Sequence, residues 1–430
     1  MDTAAGGPVF APRPAPPAPP VPAAPVPAAR AVPLSQRSLA PDVARGAMLL
    51  LIALANAHIY LVGRAVTPTA YPVAEAGSAL DRWVAFAQTL LVDGRAYPMF
   101  SLLFGYGLVQ LARRRQQAGG DPASVRGLVR RRGGWMILIG ALHGILLWSG
   151  DIIGAYGLVA VLFAGVLVGH RRGRAVLVVV GVLLLAGFAF LRGLFHLETT
   201  AMMPSLGQES AGWAALLRLV EWTSGTLLTP LLITAAVALG AWAASRGLLD
   251  EPARHLPLLR WVAVAGLALA VVGGLPLALV SAGTWQAEAG WQLGLAMTAH
   301  SVSGYAGAFG YAAVFGLLAA RAAGSPGPVL RGLAVGGQWS MSSYLAQSVV
   351  FCAVLAAWGG GLGTWVGTAA ASGIALLTWA GLLVAANVLA GSGRRGPAEA
   401  LLRRLTYGRA SGAQVSVNSA SVERPSGRSA

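Results

Sequence analysis

The amino-acid sequence predicts an all-α, polytopic transmembrane bundle with about ten membrane-spanning helices. Of its 430 residues, 56% are hydrophobic and only 11% are charged, whereas a soluble globular protein is about 25% charged. A soluble chain of this composition would expose large apolar patches and aggregate. Most of the surface of this protein is therefore expected to face lipid.

The apolar residues are grouped in long stretches. A helix needs about 20 mostly apolar residues to cross the hydrocarbon core of a bilayer. Ten stretches meet this requirement closely enough to be predicted as spans. They are 46–63, 84–112, 133–149, 152–169, 175–195, 214–244, 261–281, 293–320, 336–358 and 364–390.

The arginines predict the orientation of these spans. The formal net charge is +16, and all 31 basic residues are arginine. Of these, 26 lie in the N-terminal part, in the C-terminal tail or in the connections that follow the second, fourth, sixth and eighth predicted spans. The other five are Arg64, Arg82, Arg95, Arg192 and Arg218. Cytoplasmic segments of membrane proteins carry the excess of basic residues. Both termini are therefore predicted to be cytoplasmic, with anionic lipid rather than nucleic acid as the partner of the positive charge.

The two ends of the chain differ in composition from the rest. Residues 1–36 are rich in Pro and Ala, and residues 409–430 are rich in Ser, Gly and Arg. Neither segment could form an apolar core, so both are predicted to be disordered cytoplasmic tails. The N-terminal segment has no continuous apolar run behind a basic start, so it is not predicted to be a signal peptide. Residues 37–408 then form the transmembrane domain.

Ionisable residues within the predicted spans are the candidates for function, because a charge at bilayer depth costs roughly 2.5–3.5 kcal/mol. The stretch ALHGILLWSGDIIGAYG (141–157) contains His143 and Asp151. His143 would face an internal polar cavity, or it would be a buried neutral histidine bonded to a carbonyl group. Asp151 follows a tight turn, where it would either cap the next helix or serve the function of the protein.

Arg95 lies near the middle of the predicted span 84–112. At that depth it is expected to bind an anion, either the carboxylate of Asp93 or Glu221 or a phosphate of a substrate. If a helix begins near Arg95 instead, the side chain would extend to the interface. Asp42 and Arg45 are three residues apart at the inner start of the first span, where they would form a local ion pair.

Three further polar residues complete the candidate binding set, which has no predicted metal ligand. Asn56 lies deep in the first span, Glu221 in the span 214–244, and His300 in the span 293–320. His143, Arg95, Glu221 and His300 could converge on one pocket in the outer half of the membrane. The chain contains no GxxxxGK[ST], HExxH, GxSxG or CxxC motif, which disfavours an ATP-driven motor, a zinc protease and a standard serine hydrolase.

Several segments together resemble a known family. They are LAPDVARG (39–46), GRAYPMFSLLFGYG (94–107), RRRGGWMILIGALHGILLWSGDIIGAYG (130–157), GQWSMSSYLAQS (337–348) and GPAEALLRRLTYG (396–408). In combination they resemble the YeiB-like family of bacterial membrane proteins, domain of unknown function 418, in which Lys is usual at the position of Arg95 and Leu at that of Pro41. The resemblance implies a location in the bacterial inner membrane.

This family is distantly similar to multi-pass acyltransferases of the heparan-α-glucosaminide N-acetyltransferase type. The similarity implies transfer of an acyl group from cytoplasmic acyl-CoA, as a donor substrate rather than a bound cofactor, to an envelope glycan or lipid. His143 would then be the general base or the acyl carrier, and Asp151 would orient it. Arg95 would bind a phosphate or stabilise an oxyanion, and Arg45 would receive the phosphates of acyl-CoA.

The same residues are also typical of a transporter for a small anionic or amphipathic molecule. Gly-rich spans and ionisable residues at bilayer depth are common in such proteins. Under this hypothesis Arg95 binds the substrate and His143 relays protons.

Overall fold

The computed structural model describes residues 38–73, 77–198, 202–322 and 324–408, so both predicted tails, 1–36 and 409–430, lie outside the described residues. The described residues form α-helices joined by short connections and 3₁₀ turns. Between Val66 and Pro72 there is an isolated antiparallel bridge, and the described part of the chain contains no β-strand. The all-α prediction is therefore confirmed.

The helices follow the predicted apolar stretches in order. They are α1 Leu39–Ala57, α2 Ala79–Leu91, α3 Ala96–Gln117, α4 Pro122–Leu146, α5 Ile153–Gly169, α6 Arg171–Leu194, α7 Ala211–Ser245, α8 Leu256–Ser281, α9 Gly290–Arg321, α10 Pro328–Gln338, α11 Ser340–Val354, α12 Thr368–Gly391 and α13 Pro397–Tyr407.

Six helical segments of the described chain are long and apolar enough to cross a membrane: α1 with the 3₁₀ turn after it, α6, α7, α8 with the turn before it, α9 and α12. The expected count of about ten spans is not confirmed. Helices α5 and α11 are apolar but only 17 and 15 residues long. Helices α3 and α4 are long enough, but each carries a run of arginines.

Two stretches predicted as continuous spans are interrupted. The stretch 84–112 divides into α2 and α3 around a turn at 92–95, where Gly94 takes a φ of +69° that suits a glycine. The stretch 336–358 divides into α10 and α11 around Trp339. Apolar residues flank both interruptions, and the polar residues within them, Asp93 and Arg95 in the first and Gln338 and Ser340 in the second, are too few to end the apolar stretch in the hydropathy pattern.

The arginine-rich segment 113–132 also differs from the expected loop. Helix α3 extends to Gln117, and α4 begins at Pro122. Asp121 caps α4 by accepting a 2.5 Å hydrogen bond from the Ser124 N–H. The two helices therefore continue past their apolar parts, and all seven arginines of this segment are helical.

Glycines allow the central helices to pack backbone to backbone. A Cβ atom added to Gly105 of α3 would lie 2.0 Å from the carbonyl oxygen of Val237, and one added to Gly240 of α7 would lie 1.9 Å from that of Leu102. Such small residues are what membrane helices use for close approach. The largest buried apolar cluster is built on this contact, with further residues from α1, α5 and α9.

Candidate functional site

Three polar side chains from distant parts of the chain form a buried cluster, which we call the His143 cluster: His143, Asp151 and Ser348. His143 lies in the last turn of α4, Asp151 in the turn before α5, and Ser348 on α11. The Nδ1 atom of His143 lies 2.8 Å from Oδ1 of Asp151, and its Nε2 atom lies 2.8 Å from Oγ of Ser348. The side chains of His143 and Asp151 are 1% and 0% exposed, so bulk water does not compete for these hydrogen bonds.

Asp151 has both of the roles considered for it in the sequence. Its Oδ1 atom contacts His143, while its Oδ2 atom accepts a 2.7 Å hydrogen bond from the N–H of Gly154 in the first turn of α5. The carboxylate therefore caps α5 and orients the imidazole at the same time. Gly140 provides the space for it, because a Cβ atom there would lie 2.5 Å from Oδ2.

Ser348 is the functional candidate that the sequence analysis missed. It is the last residue of the segment GQWSMSSYLAQS, where nothing local distinguishes it from the other serines. The helix that carries it is fixed at its start by Glu399 of α13, whose Oε1 accepts hydrogen bonds from the N–H groups of Met341 and Ser342. The side-chain amide of Gln347 also binds the carbonyl oxygen of Leu49. Ser348 is thus presented to His143 by a helix anchored at two points.

The end of α4 is stabilised next to this cluster. Arg218 of α7 donates hydrogen bonds to the carbonyl oxygens of Ile145 and Leu146, at 2.8 and 3.1 Å. A cation at the C-terminus of a helix compensates its free carbonyl groups. Trp222, one turn further along α7, packs directly against Gly144. Helix α7 therefore holds the turn of α4 that contains His143.

The arrangement of the His143 cluster is suited to proton transfer and nucleophilic chemistry. With Nδ1–H donating to the Asp151 carboxylate, Nε2 is free of a proton and accepts from the Ser348 hydroxyl. This is the order of groups in which a base activates a serine while a carboxylate fixes the tautomer of the base. Tyr344 lies beside the imidazole, with a distance of 5.0 Å between ring centroids.

Arg95 forms a second buried cluster with His300, which we call the Arg95 cluster. Its Nη1 atom lies 2.9 Å from Nδ1 of His300 and 2.6 Å from the carbonyl oxygen of Asp93, and its Nη2 atom lies 2.6 Å from the carbonyl oxygen of Ala270. The residue is 1% exposed. Nη1 also contacts the carbonyl oxygen of Thr89, at 3.2 Å.

The expectation that Arg95 binds a carboxylate is wrong. Within the described residues, no carboxylate lies within 4.0 Å of its guanidinium group, and the carboxylate of Asp93 instead accepts a 2.7 Å hydrogen bond from the hydroxyl of Tyr71. The physical reason is the interruption between α2 and α3. The carbonyl groups at the end of α2 carry partial negative charge and take the place of the anion.

The remaining predicted residues occupy separate positions. Arg45 Nη1 and Asp42 Oδ1 are 3.1 Å apart, which confirms the predicted ion pair. Arg45 also donates to the carbonyl oxygen of Leu103 on α3. Glu221 accepts two 2.7 Å hydrogen bonds from Ser205, one from its N–H and one from its hydroxyl. Asn56 is half-buried in the last turn of α1, where its carbonyl oxygen accepts from the N–H of His58.

The structure thus joins two of the predicted residues with Ser348 and places the others elsewhere. His143 and Asp151 are in direct contact, while Arg95 and His300 form their own cluster between α2, α8 and α9. Arg45, paired with Asp42 on α1, also bonds to Leu103 and so joins α1 to α3. Glu221 on α7 holds the turn Pro204–Gly207 through Ser205. Among the described residues, no hydrogen bond or ion pair joins Arg95 to His143.

Taken together, the fold and this site define an all-helical membrane protein with a buried Ser–His–Asp arrangement between its helices. Residues 243–409 match the model of a family described as "Protein of unknown function (DUF418)". The protein named "Uncharacterized protein YeiB" of Escherichia coli (strain K12) is 30% identical over 129 residues, which are 30% of this chain and 30% of that protein. No solved structure matches the chain.

These two matches support the YeiB-like resemblance, each over part of the chain. That region contains Ser348 but neither His143 nor Asp151. The aligned part covers less than a third of YeiB, and the names of the family and of this relative leave the activity open.

Proposed function

We propose that this protein transfers an acyl group, with Ser348 as nucleophile, His143 as general base and Asp151 as the group that orients the base. The observation that carries the proposal is the pair of 2.8 Å hydrogen bonds that His143 makes, one to Ser348 and one to Asp151. Burial supports the proposal as well. A site of low dielectric constant strengthens both hydrogen bonds, and the absence of bulk water protects an acyl intermediate from hydrolysis.

The chemistry proceeds in two balanced steps. In the first, Ser348 Oγ attacks the carbonyl carbon of an acyl thioester while His143 Nε2 takes the hydroxyl proton. The C–S bond breaks, and the leaving thiol receives that proton from His143. In the second, a hydroxyl of the acceptor attacks the acyl-Ser348 ester as His143 takes its proton. The ester bond to Ser348 breaks, and the proton returns to Oγ.

The donor in this proposal is acyl-CoA on the cytoplasmic side, and the acceptor is a glycan or lipid of the envelope. The arginine distribution supports an orientation in a bacterial inner membrane with both termini in the cytoplasm. It also supports attraction of anionic lipid to the cytoplasmic face. Arg45, near the inner start of α1, is the residue proposed to meet the phosphates of the donor.

The test is labelling of the purified full-length protein in detergent with radiolabelled acetyl-CoA and palmitoyl-CoA. We expect label on a Ser348 peptide of the wild type, and its loss in Ser348→Ala and His143→Ala. Ser343→Ala is the matched control, because Ser343 is another buried serine of α11. Full labelling of Ser348→Ala would exclude Ser348 as the acyl carrier, and an unlabelled wild type with both donors would exclude this mechanism.

Transport is a second candidate, favoured by the interrupted helices at 92–95 and at Trp339. Interrupted membrane helices commonly line the substrate sites of transporters. The test is uptake of inorganic phosphate and of succinate into sealed vesicles, with and without a proton gradient. Uptake that ignores the gradient and persists in Arg95→Met would contradict the assignment of Arg95 and His143 to transport.

A further inference from the structure

A cavity lies near the His143 cluster, at the end of the bundle where α1, α4 and α11 end. Its volume is about 220 Å³, enough for roughly seven water molecules at about 30 Å³ each. A small polar headgroup has a similar size. The walls come from the segment after α1 and from the 3₁₀ turn Pro204–Gly207.

The lining of the cavity is amphipathic. Leu61, Val62, Val66, Met203 and Leu206 supply apolar surface. Arg64 is the one charged side chain among the described residues of the lining, and it is partly exposed, with Nη2 donating to the carbonyl oxygen of Thr364. A guanidinium group beside apolar walls fits a ligand with an anionic oxygen group and an attached hydrocarbon part.

Part of the cavity lining belongs to a buried apolar cluster that extends to α11, the helix of Ser348. Leu61 and Leu206 of the lining belong to the same buried cluster as Tyr60, Trp148 and Cys352. Cys352 lies four residues after Ser348 on α11, which is about 6 Å along the helix. Trp148 is 3% exposed, and its indole N–H has no hydrogen-bond partner among the described residues. Buried indole N–H groups normally have one.

The wall formed by Pro204–Gly207 is held from the side of the His143 cluster. Glu221 of α7 binds both the N–H and the hydroxyl of Ser205 in this turn. One turn before Glu221, Arg218 binds the last carbonyl groups of α4, next to His143. The position of the cavity wall and that of the catalytic histidine are therefore fixed by the same segment of α7.

We propose that this cavity binds the acyl acceptor, and that the acceptor is an anionic phospholipid whose headgroup carries a free hydroxyl. Arg64 binds the phosphate, and the apolar lining contacts the first part of the acyl chains. For transfer, the side chains of Tyr60 and Trp148 move aside, so that the headgroup hydroxyl reaches the carbonyl carbon of the ester on Ser348. The acceptor role rests on the proposed acyl transfer. Binding of the lipid in the cavity does not depend on it.

The experiment measures lipid binding by native mass spectrometry of the full-length protein in a neutral detergent. The probe is dihexanoyl phosphatidylglycerol, with dihexanoyl phosphatidylcholine and glycerol 3-phosphate for comparison. We expect phosphatidylglycerol to bind at least tenfold more tightly than either, and Arg64→Ala to weaken it at least tenfold, the effect of losing one charge-assisted hydrogen bond. Arg82→Ala, which changes an exposed arginine bound to Gly77, is the matched control.

A second pair of variants tests the cavity itself. A Cβ atom at Gly207 in the lining, or at Gly187 on α6, would meet no atom within 4 Å. Gly207→Leu is therefore expected to fill the cavity and abolish binding without disturbing the fold, whereas Gly187→Leu is expected to bind as the wild type does. Binding that is equal in all four variants, or equal for glycerol 3-phosphate and the lipid, would overturn the inference.

The acyl-transfer step is measured separately, on protein that has been labelled at Ser348. Arg64→Ala and Gly207→Leu are expected to keep the label on Ser348 and to lose its transfer to phosphatidylglycerol. Selective lipid binding in a wild type that never becomes labelled would refute the proposed function and leave the cavity assignment standing. Labelling of the wild type without selective lipid binding would refute the cavity assignment and leave the proposed function standing.

Discussion

The His143 cluster and the Arg95 cluster are both buried and ionisable, yet their partners differ in kind. His143 is bonded on both ring nitrogens by side chains that can exchange protons. Arg95 is bonded mainly by backbone carbonyl groups of Thr89, Asp93 and Ala270, which cannot. A buried ionisable group thus has two kinds of partner here: side chains able to exchange protons around His143, and mainly backbone carbonyl groups around Arg95.

The kind of partner therefore separates the two clusters better than their depth in the membrane does, and it leads to different expectations for their variants. An arginine that replaces the missing hydrogen bonds at a helix end satisfies several carbonyl groups at once. Its removal should therefore affect folding. A histidine held between a carboxylate and a hydroxyl contributes a reactive arrangement, and its disturbance should affect rate. The following predictions separate the two effects.

The largest expected effect is on rate, in Asp151→Asn. The amide oxygen of Asn can still accept from the Gly154 N–H, so the cap of α5 is preserved. The carboxylate that fixes the Nδ1–H tautomer of His143 is lost, and we expect acylation of Ser348 to slow by about 10²–10⁴-fold, as in other base–carboxylate pairs. The measurement is the rate of label incorporation from acyl-CoA, with the unfolding temperature recorded in parallel.

Asp151→Ala is the companion variant, because it removes the cap as well as the orienting group. It should be as slow as Asp151→Asn and in addition less stable by about 1 kcal/mol, the usual effect of losing a helix cap. If Asp151→Asn acylates at the wild-type rate while Asp151→Ala only unfolds earlier, Asp151 is a cap and nothing more.

Arg95→Met is expected to lower stability rather than rate. It leaves the carbonyl groups of Thr89, Asp93 and Ala270 without their donor, and leaving a buried acceptor unsatisfied typically costs about 1–3 kcal/mol. Thermal unfolding in detergent measures the loss, with the exposed Arg82→Met as control. Labelling of Ser348 per folded molecule should stay near the wild-type level. A stable Arg95→Met protein that cannot be labelled would place Arg95 in the reaction instead.

The sequence could predict what depends on residue type and local spacing. The apolar stretches predicted the helices, and the Asp42–Arg45 spacing predicted their ion pair, because both are properties of neighbouring residues. Ser348 could not be predicted, since it is 205 residues from His143 and meets it only through the packing of α11 on α4. The partners of Arg95 are backbone atoms at a helix interruption, and backbone atoms have no sequence signature.

The smallest expected effect concerns a third group, which lies at the surface and has neither a catalytic nor a buried role. Asp81 lies in the first turn of α2. Its Oδ2 accepts from the N–H and the hydroxyl of Ser78, at 2.9 and 2.7 Å, and its Oδ1 accepts from the N–H of Ala369 at the start of α12, at 2.8 Å. One carboxylate therefore caps two helices and joins them.

Partial burial raises the pKa of the Asp81 carboxyl, but the hydrogen bonds from Ala369 and Ser78 outweigh it and hold this pKa below its ordinary value of 3.8. Because the folded-state pKa is the lower one, the stabilisation is complete above pH 3.8 and is lost as the pH falls through the folded-state value.

Asp81→Ala should lower stability by about 1 kcal/mol at pH 7, and its unfolding temperature should converge with that of the wild type in acid. Glu251→Ala, which breaks only an exposed pair with Arg254, should differ little from the wild type at any pH. A difference for Asp81→Ala that persists unchanged at low pH would mean that the packing of its side chain, and not its charge, joins α2 to α12.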